Sequence, residues 1–207
     1  MQAAGGAPLS GATPARPDRA RRIAVLAILA AVVYVLDQVS KFLVVEFLER
    51  QEPLTVIPGA LVLTVIRNPG AAFSIGTGMT IVFTIIALGV VVAIVRTARQ
   101  LRSLPWAITL GLLLGGAVGN LTDRVFRSPA PFQGHVVDFV QVFPATRFPV
   151  FNVADSAIVC GGVLAVFLAW RGYQIDGTRE TGDQTPEQTP EQTPEQPGGT
   201  AGGKSDG

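Results

Sequence analysis

Four apolar blocks, each close to the ~20 residues that cross ~30 Å of hydrocarbon at 1.5 Å per residue, constrain this chain more than any other feature. They cover residues 23–45, 75–95, 104–121 and 153–170. The first opens with fourteen residues free of charge, IAVLAILAAVVYVL, before Asp37 and Lys41 appear. All four blocks are long enough to span a bilayer as helices, so the expectation is a membrane protein with an all-α core of four transmembrane helices. Composition points the same way. Of 207 residues, 48% are hydrophobic and only 15% charged, against roughly a quarter charged in soluble domains. A water-soluble enzyme is excluded on that balance. A cleaved signal peptide does not account for the first block, because its apolar run exceeds an h-region and three more spans follow.

Arginines set the expected orientation. Arg16, Arg19, Arg21 and Arg22 precede the first span, Arg96, Arg99 and Arg102 separate the second from the third, and Arg171 and Arg179 follow the fourth. By the positive-inside rule these mark the cytoplasmic side and place both termini there. Arg50, Arg67, Arg124, Arg127 and Arg147 on the other side make the bias moderate. Residues 1–20 are rich in Ala, Gly and Pro, and residues 173–207 carry TPEQ three times in succession. Such sequence buries too little surface to offset its ordering entropy. The domain division is therefore a disordered extension over 1–20, a membrane domain over 21–172 and a disordered tail over 173–207. Between spans one and two, LTVI (54–57) and LVLTVI (61–66) flank Pro58-Gly59, the pattern of two short strands around a type II turn. A small extracytoplasmic hairpin follows, apolar enough to lie on the bilayer or cover a site.

The remaining composition narrows the chemistry. Sixteen Lys+Arg against fifteen Asp+Glu give a net charge of +1, with no basic excess to attract nucleic acid. One cysteine, Cys160, and one histidine, His135, exclude an intrachain disulfide and a His/Cys metal cage. Cys160 reads as buried, inert packing within span four, and His135 as a solvent-facing loop residue.

Ionisable side chains inside spans are costly, so their depths are informative. Asp37 is the fifteenth residue of span one, ~21 Å from its inner end. Lys41, four residues on, shares its helix face and can pair with it. Span three ends outward through Gly115, Gly116 and Gly119 to Asn120, Asp123 and Arg124, while Asn152 and Asp155 open span four and Asp138 lies in the loop before it. Residues remote along the chain thus converge on one depth, where a polar site is expected. Asp37/Lys41 and Asp123/Arg124 read as salt bridges that support the bundle. Asp138 and Asp155 have apolar neighbours and no Lys or Arg at helical spacing. Two carboxylates in a partly desolvated pocket share a proton, which is what water-activating peptide hydrolysis uses. From the residues alone Asp155 reads equally as a helix cap. A Ser-Lys nucleophile using Ser40 or Ser156 is disfavoured, since Ser40 and Lys41 point about 100° apart on a helix. A small transporter or channel with an acidic relay is the alternative from another class, and it lacks acids at the midplane.

Four motifs agree in order with one family: DQVSK (37–41), NPGAAFS (68–74), GGAVGNLTDR (115–124), and VVDF (136–139) with FNVADSAI (151–158). Across residues 20–172 the chain resembles signal peptidase II, the lipoprotein signal peptidases. The resemblance implies a membrane aspartic endopeptidase that removes the signal peptide from diacylglyceryl-modified prolipoproteins. Cleavage falls just before the lipidated cysteine, at the outer face of the bacterial inner or cytoplasmic membrane. It implies Asp138 and Asp155 as the catalytic dyad and Asn68, Asn120 and Arg124 as groups that bind substrate backbone or hold the site. Asp37, Lys41, Asp123 and Asn152 then lend support, and an extracytoplasmic β-cradle contains the hairpin. Gly70, with Ala71 and Ala72, is small enough for substrate to approach closely, and reads equally as a turn before span two. No metal or organic cofactor is implied, and the partners are the lipidated substrate and membrane lipid. Pro69, the N-terminal extension and the TPEQ tail are the departures.

Overall fold

A computed structural model describes residues 19–70, 78–146 and 148–180. Its four long helices are α1 (Arg19–Leu48), α2 (Gly78–Thr97), α3 (Leu104–Phe126) and α4 (Val153–Trp170). Each is long and apolar enough to cross a membrane. They fall on the four apolar blocks, with α1 and α3 extending past the expected limits to Leu48 and Phe126. Residues 71–77, and with them Ala71, Ala72 and the start of the expected second span, lie outside the described residues, as do most of the N-terminal extension and the TPEQ repeats.

α3 is the central helix and packs against α1, α2 and α4. Hydrocarbon offers no hydrophobic drive for helices to associate, so close backbone approach has to supply it. The glycines of α3 permit that approach. A Cβ at Gly115 would stand 2.7 Å from the Ala30 carbonyl oxygen of α1, and one at Gly116 would stand 2.5 Å from the Ala154 carbonyl oxygen of α4. The outward faces carry exposed Val35, Phe42, Ile85, Val163 and Val166, as a lipid-facing surface requires.

At one end of the bundle lies a three-stranded antiparallel sheet, β1 (Leu54–Ile57), β2 (Leu61–Asn68) and β3 (Val136–Val142), in the order β1-β2-β3. The expected hairpin forms β1 and β2. Gly59 takes φ +74° and Ala60 N–H donates to the Ile57 carbonyl at 3.0 Å, the signature of the type II turn. The third strand corrects the sequence reading, which left Asp138 in a loop: Asp138 is in β3, opposite Ile66. β2 carries one extra residue between Leu63 and Ile66, so the pairing Leu63 with Val140 becomes Ile66 with Asp138. The other edge of β3 is bonded by Phe151, which exchanges bonds of 2.8 and 3.0 Å with Val140. Val137 and Phe139 pack with Val44 of α1 and Val153 of α4, fixing the sheet to the helix ends.

At the opposite end Leu26, Ile94, Leu101, Ala107 and Leu110 form a second cluster. Residues 173–180, placed in the unstructured tail by their sequence, instead make a turn against it. The Ile175 carbonyl accepts from Arg102 and Ser103 N–H at 2.9 and 3.1 Å, and Trp106 Nε1 donates to the Tyr173 carbonyl at 2.8 Å. Polar groups entering α3 need such partners.

Candidate active site

The sheet end of the bundle gathers every polar residue singled out above. Lys41 is fully buried and its ammonium has three acceptors: Asp37 Oδ2 at 2.8 Å, Asp123 Oδ2 at 2.9 Å and Asn120 Oδ1 at 2.9 Å. That uses all three donors, the condition under which a buried charge is tolerable. The expected Asp37/Lys41 pair is therefore present. Asp123 does not pair with Arg124. It takes Lys41 on one oxygen and Arg127 Nε on the other at 2.6 Å, and its Oδ2 also accepts from Val137 N–H at 3.2 Å. Adjacent residues on a helix point about 100° apart, whereas Arg127 stands at i+4 on the face of Asp123. Asp37 Oδ1 accepts from Ala154 N–H at 2.9 Å, tying α1 to the first turn of α4.

Asn120 passes this arrangement on. Lysine can only donate, so the Asn120 carbonyl must face Lys41 and its amide nitrogen must face away. That nitrogen donates to Asp155 Oδ1 at 2.7 Å. Asn152 is the N-cap of α4. Its Oδ1 accepts from Asp155 N–H at 2.8 Å while Asp155 Oδ2 accepts from Asn152 N–H at 3.2 Å, a reciprocal capping box. The cap is thus Asn152, and Asp155 is its third-position partner. Asn152 Nδ2 reaches Asp138 Oδ1 at 2.7 Å and Asn120 Oδ1 at 3.2 Å. From β2, Asn68 Nδ2 donates to Asp138 Oδ2 at 2.7 Å. Gly70, at φ +103°, donates its N–H to Asn68 Oδ1 at 2.8 Å and so holds that amide's orientation. A Cβ on Gly70 would run into the Phe83 ring at 2.6 Å.

Three asparagines therefore hold two carboxylates that come from a strand and a helix. Asp138 is 3% exposed, and burial, with the charge of Asp155 adding to it, pushes its carboxyl up to about 6 against the donors from Asn68 and Asn152. Both acids open on one groove of about 540 Å³, whose apolar wall includes Phe148, Phe151, Val159 and Cys160. Cys160 is exposed rather than packed, because it lies on the outward face of α4 along this groove. Arg124 donates to the Asn120 backbone carbonyl at 3.4 Å and lies over the Phe83 ring at 5.8 Å. Its buried Nε has no partner. His135 is half-buried near Glu49 and Arg67, away from the groove. Ser40 and Ser156 donate to the backbone carbonyls of Asp37 and Asn152, and neither meets a base. Arg127 and Gln38 were missed by the sequence reading. Gln38 Nε2 bridges Asp37 Oδ2 and the Gly119 carbonyl at 3.0 and 3.2 Å.

The sequence profile of Signal peptidase (SPase) II matches residues 29–171. The chain belongs to the signal peptidase II family. As a signal peptidase II it is a peptidase and a multi-pass bacterial membrane protein. It is 56% identical over 165 residues to a lipoprotein signal peptidase of Streptomyces coelicolor, covering 80% of this chain and 79% of that one. A lipoprotein signal peptidase of Streptomyces griseus is 58% identical over 158 residues, covering 76% and 79%. Among solved structures, a bacterial membrane enzyme determined by the in meso method superposes with a TM-score of 0.63 at 32% identity, covering 71% of this chain and 93% of that one. These relatives lend no support to the transporter or channel alternative.

Proposed function

We propose that this signal peptidase II is an aspartic endopeptidase that removes the signal peptide from diacylglyceryl-modified prolipoproteins. It cuts before the lipidated cysteine with Asp138 and Asp155 as its dyad. The carrying observation is that the two carboxylates, remote along the chain, open on one groove while the same Asn152 side chain and backbone touch both. One proton is shared between them. Asp155 takes a proton from a water that attacks the scissile carbonyl, and Asp138, whose burial pushes its carboxyl up to about 6, donates to the carbonyl oxygen. On collapse of the tetrahedral species the C–N bond breaks, the proton held by Asp155 passes to the leaving amine, and one hydroxyl of the diol returns its proton to Asp138. Asn68, Asn120 and Asn152 position the acids, and Arg124, whose Nε lacks a partner, offers a donor to substrate backbone. Gly70 keeps the approach open.

The substrate is itself embedded through a signal helix and acyl chains, so water and carboxylates are needed at interfacial depth. Exposed Leu54, Val56, Ile57, Phe143 and Phe148 around the sheet suit contact with lipid there. The arginine bias assigns the opposite end and both termini to the cytoplasm. Purified enzyme incubated with lipidated and unlipidated forms of one precursor, with Asp155→Asn in parallel, tests the reading. Cleavage is expected of the lipidated form by the parental enzyme alone. Near-parental processing by the variant overturns the dyad, and equal processing of both forms overturns the substrate class.

A further inference from the structure

At the end of the bundle remote from the carboxylates, a second groove of about 310 Å³ opens between α1 and α2. Its floor is Ile23, Leu26, Ile94, Val95 and Leu114, and its mouth holds Arg19 and Arg99. Both arginines are exposed, and among the described residues neither is in an ion pair. Arg22 lies on the same side of α1 by helical spacing, and its Nε is buried without a hydrogen-bond partner. Only one other buried side-chain nitrogen among the described residues shares that condition, Arg124 at the candidate active site. Buried donors without partners are rare in folded proteins, and a guanidinium in that state is matched by a phosphate or carboxylate.

We propose that this groove binds an anionic phospholipid, with the phosphate held by Arg19 and Arg99 and an acyl chain laid along Ile23, Leu26, Ile94 and Val95. Apolar floor and cationic mouth match the two halves of one lipid, and basic pockets between transmembrane helices are a recurrent way of holding such headgroups. The site is separate from the peptidase chemistry: Asp37 stands eighteen positions beyond Arg19 on α1, ~27 Å along the helix. In the topology proposed above, the lipid belongs to the cytoplasmic leaflet.

The chain has two tryptophans, and Trp106 packs on the cluster containing Leu26 and Ile94. Full-length protein carrying Trp170→Phe, reconstituted in phosphatidylcholine with increasing brominated phosphatidylglycerol, therefore reports occupancy through quenching of Trp106. Brominated phosphatidylcholine serves as the uncharged control. Saturable quenching at low mole fraction is expected for the anionic lipid alone. Arg19→Gln and Arg99→Gln should each raise the half-saturating fraction about fivefold. Both positions are exposed, so folding is not at stake. Equal quenching by the two lipids, or a double variant that behaves as the parent, overturns the proposal. Displacement of the brominated lipid by millimolar inorganic phosphate would assign the arginines to a free anion and overturn it as well.

Discussion

Asp138→Asn should change how stability responds to pH as well as abolish cleavage. Asp138 holds its proton up to about pH 6, whereas a solvated aspartate releases it near 3.8. The folded state then binds that proton more tightly than the unfolded chain does, and stability falls as pH rises between the two values. The gap of about two pH units corresponds to about 3 kcal/mol at ~1.4 kcal/mol per unit. The amide variant cannot titrate and lacks this decline. It carries a different cost. Asn68 and Asn152 both donate to Asp138, and Asn152 cannot turn because its oxygen caps Asp155. One amide hydrogen of the variant must therefore face a donor, a pH-independent loss of about 1–3 kcal/mol. Thermal unfolding in detergent, followed for both proteins from about pH 4 to pH 7, separates the two effects. The parent should lose stability relative to the variant as pH rises, whichever is the more stable at the outset. Parallel profiles would refute the account of Asp138 as a carboxyl destabilised by its surroundings.

Other perturbations follow from particular contacts. Asp37→Ala strips Lys41 of one acceptor and Ala154 N–H of its partner, so a loss of about 3–5 kcal/mol is expected. Unchanged melting with lost activity would contradict the supporting role. Gly116→Ala places a methyl 2.5 Å from the Ala154 carbonyl oxygen and should part α3 from α4, lowering stability by about 1–3 kcal/mol and slowing cleavage. Gly162→Ala meets nothing within 4 Å and should be neutral or slightly stabilising in the same melts. Alkylation of Cys160 by an apolar maleimide should block the groove it lines. Cys160→Ser should cleave normally and resist the reagent, and a reagent-sensitive Ser variant would sink that assignment.

Helix positions were legible because a span is a local property: twenty apolar residues declare it without reference to the rest of the chain. The first hairpin was legible for the same reason, its turn being written in Pro58-Gly59. β3 was not, although Val136, Val137, Val140 and Val142 are good strand formers. Its partner β2 lies some seventy residues earlier, and no short-range turn joins them. Spacing at i and i+4 identified Asp37 with Lys41, and the same rule applied to Asp123 points to Arg127. Adjacency to Arg124 was the misleading signal. Convergence of the acids on one depth was readable, but the roles of the asparagines were not. Amide orientation depends on which neighbour can only donate, and that appears once Lys41, Asn120 and Asn152 are brought together. Cys160 was misplaced because composition alone does not say which face of a membrane helix meets lipid.

The additional residue in β2 governs more than local twist. Asn68 stands opposite Val136, which leaves Asp138 as its diagonal neighbour on the same face. Were the pairing to run on from Leu63 without that bulge, Asn68 would oppose position 135, and its amide and the Asp138 carboxylate would emerge on opposite sides of the ribbon. The hairpin can therefore diverge freely in composition so long as Asn68 keeps its place opposite Val136. Grafts between homologues should succeed or fail on whether they keep Asn68 opposite Val136, before any other side chain is considered.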